Sequence, residues 1–73
     1  LENLVSVITP VFNGAYFIQQ TLESVAAQSC KVLEHIVIDD GSNDETLNIL
    51  YSLKEKYPHL VILKQQTVIY LGV

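Results

Sequence analysis

Residues 34–45 read EHIVIDDGSNDE, and the chemistry of the chain is concentrated there. A short apolar run, His35 to Ile38, leads into two adjacent carboxylates, Asp39 and Asp40, and then into Gly41 and Ser42. A nearly uninterrupted apolar run bounded by turn residues suits a strand covered on both faces, as in parallel sheets. Ser42 followed three residues later by Glu45 has the spacing of a capping box at a helix start. Strand, acidic turn and helix thus follow within a dozen residues. In open α/β sheets, ligands bind beyond the carboxyl ends of the strands, and both acids stand at such an end.

The elements that must carry this turn can be read from hydrophobic spacing. Residues 4–9 (LVSVIT) form a first β-branched strand, which Pro10 is expected to close because it has no N–H for a ladder. Asn13 is placed to cap the helix that follows. Ala15, Ile18, Leu22, Val25 and Ala26 recur at intervals of three and four, predicting a helix over residues 14–28 that ends near Ser29 and Cys30. Residues 31–33 connect to the strand of His35. A second helix turns Leu47, Leu50, Leu53 and Tyr57 toward the sheet and ends at Pro58; residues 60–63 (LVIL) make a third strand, with 64–66 at its carboxyl end. Alternating strands and helices with apolar strands predict right-handed crossovers and a parallel sheet. The expected fold class is α/β, a three-layer α/β/α, Rossmann-like half-domain with about three parallel strands.

Composition bounds the rest. Seventy-three residues allow one small domain, and 49% hydrophobic against 16% charged residues is too apolar for disorder or for an isolated monomer. A net charge of −4 disfavours nucleic acid. No apolar run reaches membrane-span length, and the first ten residues lack the basic start of a signal peptide. Leu1 in place of Met is compatible with a processed or truncated start. Residues 67–73 (TVIYLGV) are β-prone and uncharged, so they are expected to pair with something, another copy of the chain included. His35 and His59 lack metal-ligand spacing and are expected to be strand packing and a solvated loop. Cys30, the single cysteine, reads as half-buried filler, and the four tyrosines are scattered.

A dinucleotide reading would need a glycine-rich turn after the first strand, and a P-loop would need GxxxxGK[ST]. Residues 9–14 (TPVFNG) hold one glycine, so neither fits. What remains is a crevice with Pro10, Val11 and Phe12 on one side and Asp39, Asp40 and Gly41 on the other. An apolar and aromatic wall facing a carboxylate suits a planar heterocycle with a ring N–H, uracil or guanine for example. From spacing alone, the two acids equally fit a solvated turn in which Asp39 caps the helix.

VSVITPVFNGAYFIQQTLESVAAQS followed by HIVIDDGSNDETLNIL resembles the amino-terminal half of the nucleotide-binding region of family 2 glycosyltransferases, inverting enzymes with the GT-A fold. Three motifs carry the resemblance: Pro10 to Asn13, the L-x-S-V-x-x-Q pattern from Leu22 to Gln28, and Asp39 to Ser42 with Thr46. It implies that Pro10, Val11 and Phe12 line base and ribose, that Asp40 accepts from a ring N–H, that Ser42 shapes the turn and that Asp39 is structural. It also implies transfer of a sugar from a nucleotide-diphosphate sugar to an acceptor hydroxyl, in cell-envelope polysaccharide biosynthesis. Mg²⁺ or Mn²⁺ would sit on a later Asp-x-Asp, and a further carboxylate would act as base. No Asp-x-Asp occurs and no acid follows Glu55, so catalytic and metal residues are expected outside these residues and the chain alone is expected to be inactive. On this reading residues 1–66 are the amino-terminal part of the nucleotide-sugar-binding domain and 67–73 a tail. The partners expected are a UDP- or GDP-type sugar donor and a second copy of the chain through sheet edge or tail. The expected location is cytoplasmic, at most peripheral to the inner face of a membrane. The alternatives are a non-catalytic, self-associating fragment and a flavodoxin-like binding domain.

Overall fold

A computed structural model describes residues 4–28 and 31–65 of the chain. The order is β1 (Leu4–Val11), α1 (Ile18–Ala26), β2 (Lys31–Asp40), α2 (Thr46–Leu53) and β3 (Leu60–Gln65). The three strands form one parallel sheet in the order β1-β2-β3. This is the α/β order expected from the alternating periodicities. Cys30 and residues 67–73, to which the sequence assigned filler and pairing roles, lie outside the described residues.

Strand ends differ from the expectation in informative ways. β1 does not close at Pro10: it runs on to Val11, with Pro10 opposite Ile38 of β2. Among the described strands β1 has a neighbour on one side only, and an edge strand tolerates the missing proline donor. Nor does β2 stop where charge begins. It starts at Lys31, absorbing the expected connector, and includes both Asp39 and Asp40. β3 extends two residues past Leu63.

Both helices pack on one face of the sheet. Ile18 and Leu22 of α1, Leu50 of α2, Val37 of β2, Leu60 at the start of β3 and Tyr57 beyond α2 form a single buried cluster, flanked by Val11, Leu47, Ile49, Leu53 and Ile62. Sequential strand order with right-handed crossovers requires this, because each crossover returns on the same side. Burying one such leucine contributes about 1.5–3 kcal/mol. The opposite face carries Ile8, Pro10, Ile36, Ile38, Val61 and Leu63, and Ile8 and Leu63 stay 62% and 48% exposed. The described residues therefore supply two layers, sheet and helices; the second helical layer of a three-layer α/β/α domain is not among them. Among the described residues β2 is correspondingly covered by helices on one face, where its apolar run suggested both.

His35 lies inside the helical face of β2, fully buried. Its Nε2 is 2.8 Å from the Thr9 hydroxyl across the β1–β2 pair, while Nδ1 has no hydrogen-bond partner among the described residues. His59, expected in a solvated loop, is half-buried: its carbonyl accepts from the His35 N–H at 2.8 Å and its ring meets Tyr57 edge-on at 6.0 Å.

Burial first, and the neighbouring His59 second, push the pKa of His35 below its ordinary 6.5. The unfolded chain therefore takes up this proton before the folded one does. The stability from neutral His35 is complete above the unfolded value and is lost as pH falls from there toward the folded value. The slope is at most ~1.4 kcal/mol per pH unit. Urea unfolding is predicted to give a lower midpoint at about pH 5.5 than at about pH 7.5, and His35→Gln is predicted to shrink that difference.

Candidate functional site

The carboxyl ends of β1 and β2 lie side by side, with Val11 opposite Asp39 as the last pair of the ladder. Alternation along β2 then sends its two acids to opposite faces. Asp39 points into the helical layer with Val37 and His35 and is fully buried. Asp40 shares the other face with Ile38 and, across the ladder, Pro10, and it is half-buried. Phe12 leaves β1 at the level of Asp40, 56% exposed.

Asp39 closes the turn. Its Oδ2 accepts from the Ser42 N–H at 3.1 Å and its Oδ1 from the Ser42 hydroxyl, around Gly41 at φ 77°. Asp39 does not cap the helix, and neither does Ser42. α2 begins at Thr46, and the acceptor at its start is Asp44, whose Oδ1 takes the Thr46 N–H at 2.9 Å and also the Thr46 hydroxyl. The hydrogen bond from the Thr46 side chain is the main influence holding the Asp44 carboxyl below its usual range.

Both hydroxyls reach across to the loop after β1. Ser42 Oγ accepts from the Asn13 N–H at 2.8 Å and Thr46 Oγ1 from the Gly14 N–H at 2.9 Å, while Asp44 Oδ2 accepts from the Ala15 N–H at 3.2 Å. Asn13 answers in the other direction, its Oδ1 taking the Asn43 N–H at 2.7 Å. Asn13 is thus no helix cap: at φ 51° it turns the chain, and α1 starts at Ile18 without a side-chain cap. Three consecutive N–H groups at a left-handed turn could otherwise cradle an anion. Here side chains of the neighbouring loop already occupy all three, which is a physical reason beyond glycine count why a pyrophosphate does not fit this turn.

Gly14 is needed for close approach, since a Cβ there would stand 2.3 Å from Val11 Cγ2. Its carbonyl accepts from the Phe17 and Ile18 N–H groups at 2.9 and 2.8 Å, and so launches α1. Beside it an open pocket of about 310 Å³ is lined by Thr9, Pro10, Val11, Phe12, Asn13, Gly14, Phe17, Ile18 and Thr21. It contains the wall expected from sequence, Pro10, Val11 and Phe12. It lies along the β1 edge toward α1, however, and neither Asp40 nor Ser42 lines it. The expected single crevice is therefore two surfaces that meet at Pro10 and Phe12: a pocket on the helical side and the Asp40 side of the sheet. Among the described residues no three His, Cys, Asp or Glu side chains converge into a cluster that could hold a metal ion.

Residues 6–68 match the model of the family described as "Glycosyl transferase family 2". The chain belongs to that family. It is 46% identical over 57 residues to the uncharacterized glycosyltransferase RP339 of Rickettsia prowazekii (strain Madrid E), a match over 78% of this chain and 18% of that protein. With YibD, an uncharacterized glycosyltransferase of Escherichia coli (strain K12), it shares 38% over 63 residues, 86% of this chain and 18% of YibD. With TuaG of Bacillus subtilis (strain 168), whose name carries a teichuronic acid biosynthesis assignment, it shares 41% over 66 residues, 88% of this chain and 26% of TuaG. The chain thus spans about a fifth of the length of these relatives. Three parallel strands and two helices fit the amino-terminal half of the family's GT-A, Rossmann-like domain, and the flavodoxin-like alternative falls with the family match. No described helix of this glycosyltransferase chain is long and apolar enough to cross a membrane.

The hydrogen bonds and exposure also sort the residues of the site. Asp39, Gly41, Ser42 and Thr46 of the motif are engaged in turn geometry and loop bridging, whereas Pro10, Phe12 and Asp40 present surface at the strand ends. Asp44 and Asn13 are the bridging residues that sequence reasoning assigned no such role. The Asp44-x-Thr46 spacing, a side-chain acceptor two residues before an N–H donor, is the local signal that marks Asp44.

Proposed function

We propose that the ends of β1 and β2 recognise the nucleotide of a nucleotide-diphosphate sugar, for an enzyme that transfers the sugar with inversion to an acceptor hydroxyl. The observation that carries the reading is the placement of Pro10, Phe12 and Asp40 at adjacent strand ends, with Pro10 and Asp40 on one face, in a chain of the glycosyltransferase family. The base lies against Pro10 and Phe12, the Asp40 carboxylate accepts from its ring N–H, and Ser42 holds the turn that aims Asp40; Val11, expected from sequence to line the base, instead turns to the helical side and packs on the core. A UDP- or GDP-type donor satisfies this pairing; cytosine offers only an acceptor there. The transfer step requires a base and a metal site, with Mg²⁺ or Mn²⁺ as the ion, built from residues other than those described, so this chain alone gives no turnover. TuaG supports an acceptor in cell-envelope polysaccharide synthesis, carried out at the inner face of a membrane.

A charge-assisted hydrogen bond contributes ~1.5–3 kcal/mol, about tenfold or more in affinity. Calorimetry is predicted to show UDP or GDP binding at least about tenfold tighter than CDP, and Asp40→Asn to abolish the preference. Equal binding of all three to the unmodified chain contradicts the assignment.

The sheet face that carries no helix among the described residues favours a second property, self-association. Ile8, Ile36, Ile38, Val61 and Leu63 form an apolar surface that water does not stabilise. Sedimentation of the 73-residue chain at tens of micromolar is predicted to show dimers or larger species, and a clean monomer would remove the proposal.

A further inference from the structure

We propose that Thr46, backed by Asp44, is a positioning residue for base recognition, fixing the gap between the Phe12 wall and Asp40. This rests on the nucleotide-recognition reading above and adds to it the residue that holds the two halves of the site in register. The two halves belong to different loops. Phe12 is followed by a segment whose own restraints are few: α1 has no side-chain cap, and the turn into it hangs on the Gly14 carbonyl. Asp40 belongs to the other loop, which continues through the closed Asp39–Ser42 turn to the start of α2.

Thr46 joins them at the point of greatest leverage. Its side chain is fully buried, and its hydroxyl spends both capacities on the bridge, accepting from Gly14 N–H at 2.9 Å and donating to Asp44. Gly14 is two residues from Phe12, packs without room for a Cβ against Val11, and launches α1. Holding its N–H therefore sets where the chain leaves β1 and how Phe12 stands relative to Asp40. Asp44 Oδ2 holds the next N–H, that of Ala15, so the carboxylate fixes the hydroxyl and the loop together. The Ser42 bridge to Asn13 is a second tie, on the solvent side. Thr46 is the one whose hydroxyl is sealed in the interior, where water cannot replace a lost partner.

Thr46→Val keeps the shape and removes the hydroxyl; Thr46→Ser keeps the hydroxyl and removes a methyl. In the full chain, Thr46→Val is expected to raise hydrogen exchange at the Gly14 amide at least about tenfold with Val37 protection unchanged, and to erase the UDP-over-CDP preference. Thr46→Ser is expected to restore both. Asp44→Asn, which leaves the buried methyl and hydroxyl in place, is expected to give a weaker form of the same two effects and serves if the valine variant does not fold. A valine or asparagine variant that keeps both slow Gly14 exchange and the base preference overturns the positioning role while leaving nucleotide recognition intact. Loss of preference that serine fails to restore marks a packing effect and also overturns it. Absence of any preference in the unmodified chain overturns the recognition reading and this inference with it.

Discussion

Two hydroxyl groups, each placed between a carboxylate and a backbone N–H, hold the working end of this molecule together. Ser42 links Asp39 to the Asn13 N–H, and Thr46 links Asp44 to the Gly14 N–H. Polarising a hydroxyl with a carboxylate strengthens the bond it accepts. The two loops that leave the sheet at its carboxyl end are thereby cross-braced, although neither contains a helix cap of the usual kind pointing at its own helix. The two braces tie the loop after β1 to the loop after β2 at consecutive residues, Asn13 and Gly14.

The bracing explains which polar groups the interior tolerates. Asp39 and Thr46 are buried because the loops close over them and satisfy them. His35 is buried with one nitrogen satisfied by Thr9, and its burial favours the neutral ring. Below them, Leu50, Leu60, Val37, Ile18 and Leu22 form an ordinary apolar core between one sheet face and two helices. The other sheet face has no helices among the described residues, a consequence of strand order and crossover handedness, and the family match over a fifth of longer relatives gives that face its context.

Most of the fold was legible in the sequence because two periodicities alternate cleanly. The stripe Ile18, Leu22 and Val25 is the buried face of α1, and Leu50 is buried from α2; α2 ends at Leu53, short of the Pro58 expected from sequence, and Tyr57 reaches the core from the turn beyond it. The errors concern ends and partners. Pro10 signals a strand end, but only a central strand enforces it. Ser42 and Asn13 have the composition of helix caps, yet their partners lie 29 and 30 residues away in the facing loop. Local spacing cannot reveal a partner brought in by a crossover. The acids at 39 and 40 were visible as a pair. Their division into a buried turn-former and a half-buried carboxylate on the opposite face follows from β2 running through both, which its polar ending concealed. The wall of Pro10, Val11 and Phe12 was visible too, whereas its pocket opening away from Asp40 depends on how α1 is launched from Gly14.

The central claim is that a nucleotide base is held where the ends of β1 and β2 meet. Amide chemical-shift mapping during titration of the chain with UDP tests it most directly. The account predicts that the largest shifts fall at Phe12, Asp40 and Gly41, with Lys31 and Val32 at the opposite end of β2 unmoved. Shifts confined to that opposite end, or to α2 alone, would contradict it.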